Sequence, residues 1–457
     1  MKISLLICLL FLACNRTEPE SVLARVGERM ITVDEFILRA ELSPEVNFRG
    51  PDSARAAGLL DLLISEKLAA LAAEDAGMDT LAAIRQLGGF IEDMALAREL
   101  YRREVQSKVT VKAEELDRAV GYQAQTRIIA YLVFNDELSA RRYQERLAAG
   151  CSFNQALRDL YGAAADTMAN RREIKWGENV SAIEESAFVL NPGQVSPVLA
   201  VEGAFMVMVL EEIQRDLVVT EAEQARRRHL ARRILRARQE ATVSDHYIAA
   251  LAKEKNLQFN KPLLQKTADF MAEHSMAAQP DDRPFMPGGR PLEVEALQAA
   301  RLALQSHLET PLVSWRDGHI TLRQMLEKWR GYNLAVDQSS AAARRRSIVR
   351  GFSLVARDVL LAGEGRRRGY DKLPPVRNDV IMWRDYYLCS ALQGHLLEKN
   401  AAPNFSWQPH LLQWRARYPV HVDTNRLQRT ELTQVPVLAL RIGQYNALVV
   451  PPWTNFQ

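Results

Sequence analysis

The stretch that decides the fold is residues 126–213, and three of its segments carry most of the signal. They read RIIAYLVF (residues 127–134), AFVLNPGQVSPV (residues 187–198) and GAFMVMVL (residues 203–210). The first and third are predicted strands, and the Asn-Pro-Gly of the second has the composition of a tight turn followed by an edge strand. The stretch is therefore predicted to contain a small sheet.

These segments resemble the motifs of the parvulin family of prolyl isomerases. The first stands where that family carries A-x-H-I-L-V and the third where it carries G-Y-H-I-I-K-L. Between them, YQERLAAGCSFNQAL (143–157) is similar to a helix, turn and helix of the family, and KWG (175–177) to its tryptophan strand. The strongest match is residues 187–198, to A-F-x-L-x-P-G-x-I-S-x-P-V. The resemblance implies an antiparallel sheet with helices, and faster rotation about Xaa-Pro bonds.

The same resemblance implies a catalytic site, but other residues stand at both of its expected histidine positions. Tyr131 keeps a hydroxyl in the first position, whereas Phe205 brings no polar group to the second. Whether the domain is an active isomerase therefore stays open, and the alternative is that Tyr131, Phe188 and Phe205 are core residues of a folded but inactive domain. The implied site consists of catalytic positions Tyr131, Phe205 and Asp166 and an apolar proline slot formed by Leu132, Phe188 and Met206.

Outside this stretch, the chain contains an internal repeat. Each copy opens with a short strand, a turn and a threonine, Thr32 or Thr321, that can cap a helix and form a capping box with Glu35 or Gln324. Each continues with an apolar-periodic helix that stops at a glycine, AGMD at 76–79 and RGYD at 368–371, and then with a second helix. Alternating segments at 255–260 and 417–423 are predicted to close copy one and copy two, respectively. Chance similarity between two helical segments is the alternative.

The repeat predicts that one helical module occurs twice in the chain, with the parvulin-like domain inserted into the first copy only. The fold class is α+β, mainly helical. The predicted organisation is a signal peptide (1–13), a lipidated linker (14–21), the first part of a helical chaperone module (22–120), the parvulin-like domain (121–214), the closing part of that module (215–265), a linker (266–310), a second helical module (311–430) and a C-terminal tail (431–457).

The N-terminus predicts export. Lys2 precedes an apolar run, residues 3–13, that is about half the ~20 residues needed to cross a bilayer, so a signal peptide is favoured over a membrane helix. Ala13 before Cys14 resembles a bacterial lipoprotein signal, in which Cys14 would be lipidated; an ordinary signal peptide is the alternative. Asn15, which is not an aspartate, favours the outer membrane over the inner one by that resemblance. The predicted location is the periplasm, with a lipid anchor.

Composition excludes several function classes. The chain is 457 residues long, 47% hydrophobic and 25% charged, with a formal net charge of +3, which gives no reason to expect nucleic acid. None of the eight histidines belongs to an HxxxH motif, and the sequence contains no CxxC motif and no glycine-rich phosphate loop. We therefore predict neither a metal site nor a cofactor. Cys151 and Cys389 lie in different predicted modules, which favours unpaired thiols.

Together, the opening VGERMITVDEF (26–36), the GMD helix stop (77–79) and the parvulin-like insert resemble bacterial exported foldases of the PpiC/SurA/PrsA class. The resemblance covers residues 22–265 and, more loosely, 311–430. It implies a chaperone that binds unfolded or nascent exported proteins, possibly outer-membrane proteins, as its partners. Two alternatives remain, a catalytically active prolyl isomerase and a structural lipoprotein that binds one fixed partner.

Overall fold

The chain folds into an α+β structure that is mainly helical and carries small antiparallel sheets, as predicted. The computed structural model describes residues 22–42, 52–162, 170–179, 181–201, 203–216, 220–275, 290–291, 294–332, 334–399, 406–432, 450–454 and 456. Cys14 and the predicted signal peptide lie outside these residues. Within them, no helix is both long enough and apolar enough to cross a membrane, and no cluster of His, Cys, Asp or Glu side chains is suited to hold a metal ion.

The chain divides into two compact units. The helical unit contains the described residues up to Arg102 and those from Ala250 onward, and the inserted unit contains those of Arg103–Ala249. The inserted unit is wider than the predicted 121–214, because it includes helical segments on both sides of the sheet-forming stretch.

Residues 266–310, predicted as a linker, carry helical segments in the structure. The strands are β1 (Val22–Val26), β2 (Arg29–Thr32), β3 (Gln125–Phe134), β4 (Asn170–Lys175), β5 (Leu199–Val201), β6 (Ala204–Arg215), β7 (Gln258–Phe259), β8 (Arg290–Pro291), β9 (Pro311–Trp315), β10 (Gly318–Thr321), β11 (Ala335–Val336) and β12 (Val420–Val422). The helices are α1 (Val33–Leu42), α2 (Asp52–Asp75), α3 (Ala82–Glu104), α4 (Ala113–Gln123), α5 (Glu137–Ala148), α6 (Phe153–Tyr161), α7 (Ser181–Val189), α8 (Glu221–Glu254), α9 (Lys261–His274), α10 (Val294–Ala303), α11 (Leu322–Tyr332), α12 (Ala341–Arg367), α13 (Pro374–Lys399), α14 (Gln408–Arg417) and α15 (Thr424–Arg429).

The two sequence copies have equivalent turns after their long helices. Gly77 follows α2 with φ 74°, and Gly369 follows α12 with φ 76°, so both occupy the left-handed region that a glycine tolerates best. After each glycine comes one 3-10 turn and then a helix, α3 or α13. The predicted role of both glycines at helix ends is thus what the backbone shows.

The closing strands differ from the prediction, because each one pairs with the opening hairpin of the other copy. The first hairpin, β1–β2, pairs through β1 with β12 of copy two, with Ala24 opposite Val422. The second hairpin, β9–β10, pairs through β9 with β7 of copy one, with Val313 opposite Phe259. The two closures have matching geometry, since the backbone N–H after each closing strand donates to the equivalent leucine carbonyl (Asp423 to Leu23, 3.0 Å; Asn260 to Leu312, 2.9 Å).

The helices are exchanged in the same way. Helix α2 of copy one packs along α13 of copy two, and α3 of copy one contacts α12 of copy two around Leu96 and Ala362. Gly365 permits this second contact, because a Cβ there would lie 3.1 Å from the backbone oxygen of Leu96. The two copies are therefore interlaced, and neither forms a closed structure from its own residues.

The two largest hydrophobic cores among the described residues of the helical unit both contain residues of each copy. The first core joins β1, α1 and α2 to α13, α14 and the C-terminal segment, and includes Leu63, Leu68, Leu388 and Trp414. The second joins α9 and α10 to β9, α11 and α12, where Trp329 packs edge-on against Phe352 at 5.0 Å. Removing either copy would therefore remove part of both cores.

The inserted unit is built on a four-stranded antiparallel sheet of order β4-β3-β6-β5. Helix α7 covers one face of this sheet, which we call the α7 face, where Ile183 and Ala187 pack with Ile129 and Met208. Helices α5 and α6 cover the other face, which we call the α5 face, through Tyr143 and other apolar residues. Side chains alternate between the two faces along each strand, so the sheet register decides which predicted site residues meet.

Candidate functional site

One row of apolar side chains crosses three strands on the α7 face of the inserted unit. Val133 on β3 is paired with Met206 on β6, and Met206 is paired with Leu199 on β5. Neighbouring strands lie about 4.8 Å apart, so this row is about 10 Å long. Met206 is buried, Leu199 is half-buried and Val133 is 51% exposed. We call these three residues the apolar strip.

Tyr131 borders the apolar strip in the next row of the same face. It is paired with Met208 on β6 and with Asn170 on β4, and its side chain is half-buried beside the α7 core. The structure thus brings together two predicted site residues, Tyr131 and Met206. Sequence reasoning missed Val133, although its position two residues after Tyr131 in a strand already placed it on the same face.

Phe205 and Leu132 belong to the opposite face of the sheet. Phe205 is paired with Phe134 and Leu132 with Val207, and all four residues belong to the core under α5 and α6. Tyr131 and Phe205 therefore do not face each other, and Leu132 and Phe134 are residues of β3 that share the face of Phe205. A shift of one residue in matching a strand to a motif moves a side chain to the other face, which accounts for the difference.

Phe188 does not line an open slot. It is 4% exposed, with the Tyr122 ring at 5.0 Å and the Arg127 guanidinium over its ring at 5.0 Å. Arg127 is held there because it donates to the Leu190 carbonyl at 2.9 Å, and burial lowers the pKa of this guanidinium. Phe188 is thus a core residue. Asp166, the remaining predicted catalytic position, lies outside the described residues.

Trp176 and Gly177 are fixed by a buried carboxylate that the sequence did not reveal. Glu184 on α7 is fully buried and accepts from the backbone N–H of Gly177 at 2.8 Å and from the Arg238 guanidinium. Arg238 in turn lies over the Trp176 ring at 4.9 Å. This cluster ties β4 to α7 and α8, and so supports the face that carries the apolar strip.

We expect Gly177→Ala to destabilise the inserted unit by about 1–3 kcal/mol. The physical reason is twofold: Gly177 has φ 95°, and a Cβ there would lie 2.3 Å from the Ile234 Cδ1 atom. The measurement is urea unfolding followed by hydrogen exchange in residues 103–249, because six further tryptophans mask the fluorescence of Trp176. Gly150→Ala is the matched control for strain alone, because Gly150 has φ 93° and no atom within 4 Å of its Cβ position. Equal losses in the two variants would show that the contact with Ile234 contributes nothing.

The α7 face offers an apolar surface for binding but few polar groups that could take part in catalysis. Beside the apolar strip, the described residues of that face supply the Tyr131 hydroxyl and the Asn170 amide, and no histidine, cysteine or acidic group. Strand β5 is the last strand of the sheet, so its outer edge has no strand partner among the described residues. The other edge strand, β4, carries exposed charges at Arg171 and Arg172 that disfavour strand addition. The arrangement therefore suits an apolar segment laid across the apolar strip from Val133 to Leu199, and the open edge of β5 lies at one end of that strip.

The helical unit presents a second surface that sequence reasoning did not single out. Trp383, Tyr386 and Tyr387 lie at helical spacing on α13, with ring centroids 5.5–6.0 Å apart, and all three are half-buried. Aromatic rings in this state bury large areas when a partner covers them. The spacing i, i+3, i+4 was the available signal.

No family model and no curated protein matches this sequence. Solved structures to which the chain is similar include proteins of the PrsA type. The peptidylprolyl isomerase PrsA from Bacillus cereus is matched at 17% identity and a TM-score of 0.22, over 32% of this chain and 57% of that protein. The Bacillus anthracis protein is matched at 13% identity and a TM-score of 0.21, over 34% and 70%. The foldase protein PrsA from Streptococcus pneumoniae is matched at 14% identity and a TM-score of 0.20, over 48% and 87%. The chain thus spans less than two thirds of the first of these proteins.

Proposed function

We propose that this protein is a lipid-anchored periplasmic foldase-type chaperone that holds unfolded exported proteins, and that its inserted unit binds them without catalysing prolyl isomerisation. The observation that carries the proposal is the apolar strip, which is open to solvent at Val133 and lies beside the unpaired edge of β5. Lipid anchoring through Cys14 and the identity of the clients are parts of the proposal that rest on the resemblance of the sequence.

Binding by the strip is expected to be weak and tolerant of sequence. Val133 is 51% exposed, so covering the rest of its side chain contributes roughly 1 kcal/mol, and main-chain hydrogen bonds along an edge strand accept many sequences. A holding chaperone requires both properties, because it must release each client again.

Catalysis would require more than this surface provides. Rotation about an Xaa-Pro bond has a barrier of ~18–20 kcal/mol, and an enzyme lowers it with polar groups that favour the twisted amide over the planar one. Among the described residues, Tyr131 offers a hydroxyl beside Val133 and Met206, whereas Phe205 and Leu132 lie in the opposite core. The geometry therefore favours holding over isomerisation.

The test of holding is suppression of aggregation of an unfolded outer-membrane barrel protein, followed by light scattering. We expect the protein to suppress aggregation, and Val133→Asp to weaken suppression several-fold, because a carboxylate on the strip must lose water when a client covers it. Leu302→Asp is the matched control, since Leu302 is a 74% exposed apolar residue on α10 and belongs to the helical unit. Thermal unfolding of both variants verifies that each remains folded.

The other candidate functions predict different results in this experiment. A structural lipoprotein with one fixed partner would leave aggregation unchanged at molar excess and would give a single stoichiometric complex in a pull-down. Equal suppression by the wild type and by Val133→Asp would show that the apolar strip does not bind the client.

A further inference from the structure

The C-terminal segment of the described chain lies in a groove of the first core. Residues 450–454 have neither helical nor strand structure, and Phe456 follows them into the core. Val450, Pro451, Thr454 and Phe456 are buried, although the segment carries no regular hydrogen-bonding pattern of its own. The segment is thus held by what surrounds it.

A buried ion pair supplies the polar side of this groove. Arg39 on α1 and Glu66 on α2 form two hydrogen bonds of 2.8 and 2.9 Å, and their side chains are 0% and 1% exposed. Arg39 also donates to the Pro452 carbonyl at 3.2 Å, and the Thr454 hydroxyl donates to Glu66 at 3.1 Å. The ion pair therefore forms hydrogen bonds with a backbone carbonyl and with a hydroxyl of an extended chain.

Aromatic contacts supply the apolar side. The Arg39 guanidinium lies over the Trp453 ring at 5.0 Å, and Phe456 packs edge-on against Trp407 at 5.8 Å. A proline pair limits the freedom of the segment, which lowers the entropy lost when it is ordered. The groove therefore fits an extended segment with proline followed by aromatic residues.

We propose that this groove is a binding site for extended proline- and aromatic-containing segments of unfolded proteins, and that Val450–Phe456 occupies it in cis as an internal competitor. This inference rests on the proposed chaperone function. Because the segment belongs to the same chain, it competes as an intramolecular ligand, and its effective concentration does not depend on the amount of protein. Weakly bound clients are then excluded, and only segments that match or exceed the internal one gain access.

The test uses a fluorescein-labelled peptide with the sequence of residues 450–457, VPPWTNFQ, and fluorescence anisotropy. The wild-type protein should bind this peptide weakly, because its own segment fills the groove. Trp453→Ala in the full chain should bind it at least about 10-fold more tightly, since the internal segment then loses its aromatic contact with Arg39 and, of its contacts with the ion pair, keeps only the hydrogen bonds of Pro452 and Thr454. An unfolded outer-membrane protein should displace the peptide. Leu412→Ala, at a 67% exposed position on α14, is the control and should behave as the wild type.

Equal peptide affinities of the wild type and Trp453→Ala, in folded proteins, would overturn the inference, as would bound peptide that no unfolded protein displaces. Aggregation assays on the same two proteins separate this failure from failure of the proposed function. Suppression that is present and equal in both proteins would contradict only the internal competitor. The absence of suppression in both proteins would contradict the chaperone function.

Discussion

A chain that ends at residue 310 should form neither core of the helical unit. Such a chain keeps all of copy one, yet the first core loses Leu388, Trp407 and Trp414, and the second loses β9, α11 and α12. Leaving large side chains of α2 without partners costs about 2–5 kcal/mol for each one, in a unit whose total stability is expected to be about 5–15 kcal/mol. We expect limited proteolysis to leave only a fragment from the inserted unit, Arg103–Ala249.

The matched control keeps every residue and only breaks the chain between the copies. Two co-expressed pieces, residues 1–282 and 283–457, should associate and copurify, because β1 requires β12 and β9 requires β7. A cooperative unfolding transition of residues 22–102 in the truncated chain would contradict the interlaced arrangement.

Lys67→Met should destabilise the first core by about 3–5 kcal/mol. Lys67 on α2 is fully buried, with its Nζ atom 2.9 Å from Asp385 and 2.7 Å from Glu35. Burial by itself lowers the pKa of Lys67, but these two carboxylates outweigh burial and raise it above its ordinary value. Replacement by an apolar side chain leaves Glu35, which is 11% exposed, without its cation, and leaves the fully buried Asp385 with Arg29 alone at 3.2 Å, which accounts for the large cost. Chemical denaturation followed by circular dichroism measures the loss.

The control for this substitution is Arg415→Met, which removes another ion pair between the same two copies. Arg415 lies 2.5 Å from Asp61, and their side chains are 35% and 64% exposed, so we expect a loss of less than about 1 kcal/mol. In a double-mutant cycle, Lys67→Met with Asp385→Leu should cost less than the sum of the single changes. Additive losses would show that Lys67 and Asp385 are not coupled.

The sequence was sufficient for local structure wherever one residue type dictates the backbone. Gly77 and Gly369 end their helices in the left-handed region, and Thr321 and Gln324 form the predicted capping box, with reciprocal hydrogen bonds of 3.0 and 3.3 Å. In copy one the box is incomplete: Thr32 accepts from the Glu35 N–H, but the Glu35 carboxylate faces Lys67 instead. A buried partner distant in sequence thus overrode a local rule.

Features that depend on pairing partners could not be predicted in this way. The closing strands β7 and β12 are two and three residues long, so their pattern fits either hairpin, and only the packing of α2 on α13 decides which one they join. The site shows the same limit, because Tyr131 and Leu132 are adjacent in sequence and only the register of β3 with β6 places Leu132 with Phe205. The role of Val450–Phe456 likewise depends on Arg39 and Glu66, which are almost four hundred residues away.

The most direct test of the central claim is a nuclear magnetic resonance titration of an isotope-labelled Xaa-Pro peptide with an aromatic neighbour, read by exchange spectroscopy. One spectrum series reports both binding, as shifts and broadening of the peptide signals, and catalysis, as cis/trans exchange faster than the uncatalysed tens to hundreds of seconds. We predict shifts that saturate with added protein and that weaken in Val133→Asp, with exchange at the uncatalysed rate. Accelerated exchange, or signals that do not move at molar excess of protein, would contradict a chaperone that holds without isomerising.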